Sequence, residues 1–178
     1  MDEKNKIPGV SFIKRNIGTI IGLILLVIIV SISTPKFLTS SNILNLLKSN
    51  SVNAIISCGM LLAILMGEID ISVGSTVGLS GIIGAYMITN VGLPVVPTVL
   101  ICLGVGALVG IVNGVAISYL KVPAFVATLA TQSIGRGLTE IISGGVTIRV
   151  RNTGYTALGN QNVAGISIII IYAAAVLI

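Results

Sequence analysis

Two stretches of this chain, Ile17 to Ser33 and Thr98 to Leu120, contain no charged side chain, and the runs Val52 to Met66 and Val73 to Val91 are also free of charge. Crossing a hydrocarbon core of roughly 30 Å takes about 20 apolar helical residues, with about 17 as the lower limit. Segments of this kind can be buried in a large core or immersed in lipid, and composition decides between the two. Only 8% of the residues are charged, 54% are hydrophobic, and the mean hydropathy is +1.11. Soluble domains carry about 25% charge, so the chain is expected to have lipid as its solvent.

The charge that remains is unevenly placed. Lys4, Lys6, Lys14 and Arg15 crowd just before the first apolar run, as expected for a cytoplasmic N-terminal segment, residues 1–16. The net charge of +5 therefore reads as membrane topology, and no nucleic-acid partner is expected. A cleaved leader would show the same basic residues, with Ser31 and Ser33 as its small-residue site. The remainder would be a membrane protein on either reading. The chain has no His, which removes the commonest general base and metal ligand. Cys58 and Cys102 lie inside apolar runs and suit small buried side chains better than a disulfide or metal site. No metal site and no catalytic residue is expected.

Read along the chain, the pattern predicts an all-α polytopic bundle of about five complete spans plus a truncated sixth, all in one membrane domain over residues 1–178. The first span is Ile17 to Ser33. Thr34-Pro35 ends it, and Thr39 to Asn42 supplies caps for a new helix. Ile43 to Asn53 reads as an amphipathic stretch ahead of a second span over Val52 to Met66. A third covers Val73 to Val91, Pro94 and Pro97 form a break, Thr98 to Leu120 is the fourth, and Ala124 to Ile142 the fifth. Gly106, Gly110 and Gly114 recur every fourth residue, which predicts a face for close helix packing. Ser143 to Asn162, with Arg149 and Arg151, reads as a loop, and Gly165 to Ile178 as a sixth run too short to cross. Alternation from a cytoplasmic N-terminus places Pro94 outside and Lys121 inside, while Arg149 and Arg151 outside run against the charge bias.

Glu68 and Asp70 are the acids beside a span, where carboxylates are costly and point to function. Two residues apart on a helix they would diverge by about 200°. Gly67 and Gly74 bracket them, and Ile69, Ile71 and Val73 alternate with Glu68, Asp70 and Ser72, which favours a break or re-entrant turn. Such backbone is tolerated at membrane depth only where protein or a wet cavity satisfies it. Two readings stand. The segment lines a translocation path, or it is a solvated turn whose Asp70 and Ser72 cap the next helix. Asn113, inside the glycine face, would hydrogen-bond a neighbouring helix or a polar solute. Arg136 and Glu140 are spaced to pair on one helix face.

The stretch Gly67-Glu68-Ile69-Asp70-Ile71-Ser72-Val73-Gly74-Ser75 is followed in order by Asn113-Gly114, by Val122-Pro123-Ala124-Phe125-Val126-Ala127-Thr128-Leu129, by Arg136-Gly137 and by Gly144. Together with Gly59-Met60 these resemble the ribose-type permease subunits of bacterial ATP-binding-cassette sugar importers, from about Asn42 to Gly165. The commonest form of the first motif has a second Gly where this chain has Glu68, which leaves the sugar open.

The resemblance implies a multi-pass protein of the bacterial cytoplasmic membrane and a longer chain. The sequence in hand is then expected to be the N-terminal portion of a permease that does not transport by itself. It further implies a second permease copy, two ABC ATPase subunits and an extracytoplasmic sugar-binding protein as partners, within membrane lipid. Pro123, Phe125, Thr128, Arg136 and Gly137 enter as matches to the family motifs. No phosphate-cradling G-x-x-x-x-G-K-[ST] loop is present, so ATP is expected on a partner ATPase, with no cofactor here. An ion-coupled carrier using Glu68 or Asp70, and a non-transporting membrane scaffold, are the alternatives.

Overall fold

The computed structural model describes residues 15–163 and 166–177. The basic residues Lys4, Lys6 and Lys14 and the start of the sixth run at Gly165 lie outside them. The elements in order are α1 (Ile17–Ser33), α2 (Ser40–Leu65), α3 (Val73–Tyr86) continued by a π turn (Met87–Val91), α4 (Val95–Ser118), α5 (Ala124–Ser143) and α6 (Thr153–Asn160). A two-stranded antiparallel hairpin, β1 (Asn162–Val163) with β2 (Ile166–Ser167), and α7 (Ile168–Leu177) complete the list. The fold is all-α apart from that hairpin.

The chain divides into two compact units, up to Leu47 and from Lys48 onward. In the first unit, α1 has no buried residue and ends where Thr34 donates its amide to Val30. Thr39 then caps α2, its hydroxyl oxygen accepting from the Asn42 amide at 3.4 Å. This cap starts the helix where the sequence places it, well ahead of the apolar run that begins at Val52. Ile43 to Asn53 is therefore part of one continuous α2, with neither Gly nor Pro there to interrupt it.

In the second unit, α3, α4 and α5 form the packed core, and α3 packs most extensively on α5. A Cβ added to Gly135 would lie 3.1 Å from Ser75 Oγ, which shows how closely α3 and α5 approach there. Pro97 does not break the chain as the sequence suggests. It sits in the first turn of α4, where its missing N–H has no helical partner to lose. The long Ser143 to Asn162 loop contains α6, capped by Asn152 Oδ1 accepting from the Tyr155 amide at 3.0 Å. Tyr155 reaches α3 and α4 beside Gly84 and Cys102. Burial, then the Cys102 thiol, raises its phenol above the ordinary value.

Among the described residues, α2 and α4 are long and apolar enough to cross a membrane, and α1 and α7 are shorter apolar helices. At about 1.5 Å per residue α2 and α4 measure about 39 and 36 Å. None of the most apolar window of α2 and only 6% of that of α4 is buried. Hydroxyls along the helices are satisfied internally. Ser31, Ser57, Thr89, Thr98, Ser133 and Thr139 each donate to the carbonyl four residues back, as a lipid-facing helix requires.

The glycine face of α4 is the clearest departure from expectation. A Cβ at Gly106, Gly110 or Gly114 would meet nothing within 4 Å, because α4 turns Thr98 and Asn113, both buried, towards its neighbours instead.

Candidate functional site

The break expected around Glu68 is present and has a defined geometry. Gly67, at φ 75, closes α2 in the left-handed conformation. Its amide donates to Ile64 at 2.9 Å, while the Glu68 amide reaches back to Ala63 at 3.0 Å. This pairing is a Schellman cap, which needs a residue such as Gly at φ > 0. The chain then runs without helix to Val73, so Glu68 and Asp70 are free of helical spacing.

Asp70 folds back on its own loop. Its Oδ1 accepts from the Ser72 amide at 2.7 Å and from the Ser72 hydroxyl at 2.6 Å. Ser72 is only 1% exposed. It precedes α3 as the sequence suggests, but its hydroxyl makes no cap and instead joins Asp70 to α4, accepting from Asn113 Nδ2 at 2.9 Å. Asn113 Oδ1 in turn accepts from the Thr131 hydroxyl of α5 at 2.6 Å. Thr128, one turn earlier on α5, shares its one hydroxyl proton between the Ala124 carbonyl at 2.8 Å and, more weakly, the Ile69 carbonyl at 3.3 Å. Two helices thus hold the Ile69 carbonyl and the Ser72 hydroxyl of the unwound loop, as irregular backbone at membrane depth requires.

A cavity of about 310 Å³ opens against this loop, lined by Glu68, Asp70, Asn113 and Thr128 together with Gly110 and Gly114. Small-molecule sites commonly measure about 300–1,000 Å³. Two of the open glycines on α4 therefore make room in the cavity wall. A second cavity, of about 510 Å³, shares Glu68 and Ile69 with the first and adds Gly67, Lys121, Pro123 and Phe125. Lys121 adopts φ 56, the one left-handed residue other than glycine among those described.

Stretches far apart in sequence are thus brought together: the Gly67 to Ser72 loop, Asn113-Gly114 and Pro123 to Thr128. Other candidates lie elsewhere. Gly74 has nothing within 4 Å of an added Cβ, and Gly106 lines a separate apolar cavity with Cys102 and Tyr155. Arg136 and Gly137 are exposed on α5, and no ion pair joins Arg136 to Glu140 among the described residues. Sequence reading missed Thr131. Its signal is the spacing of Ala124, Ala127, Thr128, Thr131 and Gly135, a small-residue stripe on the inner face of α5.

Comparison with known proteins sets this geometry in context. The chain is 44% identical to the ribose import permease protein of Haemophilus influenzae over 70% of its length, and 40% identical to that of Bacillus subtilis over 80%. It is 34% identical to the xylose transport system permease protein of Escherichia coli over 70%. It spans 38%, 44% and 32% of those three relatives, less than half of each. No solved structure matches it. Residues 42–178 match the family described as branched-chain amino acid transport system / permease component. The matched stretch contains the broken helix, the cavity beside it and the Asn113 hydrogen bonds alike, and the chain belongs to this permease family.

Proposed function

We propose that the chain is part of the permease subunit of an ATP-driven importer that carries a neutral monosaccharide, ribose or a related sugar, across the cytoplasmic membrane. The observation that carries this reading is the kind of polar side chain set into the otherwise apolar wall of the 310 Å³ cavity. Two carboxylates and an amide line it, and no basic residue does among those described. Ionised carboxylates only accept hydrogen bonds, so the wall suits a solute rich in hydroxyl donors. The ribose and xylose relatives support the same choice.

On this reading five spans and the beginning of a sixth cross the bilayer from a cytoplasmic N-terminus. Two ATPase subunits supply the energy and hold the ATP, and a sugar-binding protein delivers the solute outside. A second permease copy completes the path. The physical step on this subunit is alternating access, with helices around a fixed site opening to one side at a time. Glu68 and Ile69 of the loop, with Ile117 and Ala124, form the wall common to both cavities, and the loop is the element that such a step would move past the solute.

The test is a chimera in which residues 42–178 replace the matched part of a ribose import permease. Accumulation of labelled ribose that requires ATP, with no accumulation of leucine, is the expected result. Uptake of leucine in place of sugar would overturn the solute, and uptake lost only with the ion gradient would favour a coupled carrier. Topology is tested separately in a chain with Cys58 and Cys102 replaced by Ser. A cysteine at Leu93 should react with an impermeant maleimide added outside intact cells, and one at Lys121 should not. The opposite pattern would invert the orientation.

A further inference from the structure

The hydrogen bonds behind the loop have a single direction. An ionised carboxylate accepts only, so the Ser72 hydroxyl gives its one proton to Asp70 Oδ1 and keeps a lone pair for Asn113 Nδ2. With its N–H₂ committed there, Asn113 turns Oδ1 towards Thr131, whose one hydroxyl proton has Asn113 Oδ1 at 2.6 Å and the Ala127 carbonyl at 2.9 Å and goes to the nearer oxygen. A reversed amide would set its oxygen against the Ser72 oxygen, two acceptors face to face. Asn113 is 6% exposed, and Ser72 is more deeply buried still, so water does not readily substitute for either link. Asp70 Oδ2 has no partner among the described residues, and Asp70 lines the cavity.

We propose that Asn113 and Thr131 are positioning residues, a relay from α5 through α4 that locks Ser72 and thereby presents Asp70 Oδ2 to the cavity as a single acceptor for one solute hydroxyl. For the identity of the solute this rests on the function proposed above, whereas the relay itself is a statement about the loop alone. Plain interhelical adhesion predicts something different. It would leave Asp70 indifferent to Thr131 so long as the helices stay packed.

The distinguishing measurement is hydrogen–deuterium exchange of the full chain in lipid nanodiscs, read at the Ser72 amide that donates to Asp70. Thr131→Val keeps the shape and removes the donor. It should speed Ser72 exchange about three- to tenfold, the worth of one hydrogen bond, while amides within α3 keep their wild-type rates. Thr131→Ser restores the hydroxyl and should restore the protection. In the ribose-permease chimera, Thr131→Val should raise KM by the same factor, and by more than it lowers the maximal rate.

Unchanged Ser72 exchange in Thr131→Val would overturn the relay, as would equal acceleration throughout α3 or a Thr131→Ser variant that behaves like the valine. If exchange responds as expected but the unmodified chimera carries no sugar, the relay stands and the solute assignment fails.

Discussion

Asp70→Asn in the ribose-permease chimera is expected to lower sugar uptake about 10- to 100-fold, whereas Glu140→Gln should change it by less than about twofold. The contrast follows from the two environments. Asp70 holds two hydrogen bonds from Ser72 on one carboxylate oxygen, and a bond to a charged acceptor contributes about 1.5–3 kcal/mol. An amide keeps one oxygen and gains an N–H₂ group. It can satisfy the loop or offer an acceptor to the cavity, and cannot do both with its former strength. Glu140 is exposed on α5 with no ion pair to lose, and surface changes of that kind fall within about 0.5 kcal/mol. Equal uptake by the two variants at equal membrane abundance would remove the loop from the transport path.

The second large effect is on folding. Gly84→Val should destabilise the bundle by about 1–3 kcal/mol, measured as loss of helicity in a denaturant titration of the detergent-solubilised chain. A Cβ there would meet Cys102 Sγ at 2.8 Å and come closer still to Tyr155 Oη. Gly81, three residues earlier on α3, has nothing within 4 Å, so Gly81→Val is the control and should cost less. Because the nearest obstacle is one phenolic oxygen, Tyr155→Phe should recover part of the loss, a coupling that independent sites would not show. Identical losses at Gly81 and Gly84 would mean that α6 does not rest on this part of α3.

How far each feature was legible in the sequence depended on whether its signal is local. The unwound loop was visible because Gly67, the alternating β-branched residues and two acids are all within a few positions. Asn113 stood out as an amide in an uncharged run. Thr131 did not, since nine other Ser and Thr hydroxyls bond back to the carbonyl four residues earlier and its own hydroxyl lies within reach of the Ala127 carbonyl in the same way. Only the approach of α4 to α5 distinguishes it. Helix α6 was read as loop because a short segment with two glycines has weak helical preference, and its one clear mark is the Asn152 cap. The α4 glycines read in the sequence as a face for close packing, and in the structure that face is open. Their spacing could not say whether protein or open space lies against it.

Lys121 has a consequence of its own. A left-handed backbone at a residue with a Cβ costs about 1 kcal/mol, and glycine would remove that burden at φ 56. Glycine would also delete the one ammonium group, among the described residues, that borders the chamber Glu68 shares. Chain comfort and local neutrality therefore pull this position in opposite directions. A Lys121→Gly protein should resist denaturation slightly better while removing a positive charge from the chamber beside Glu68.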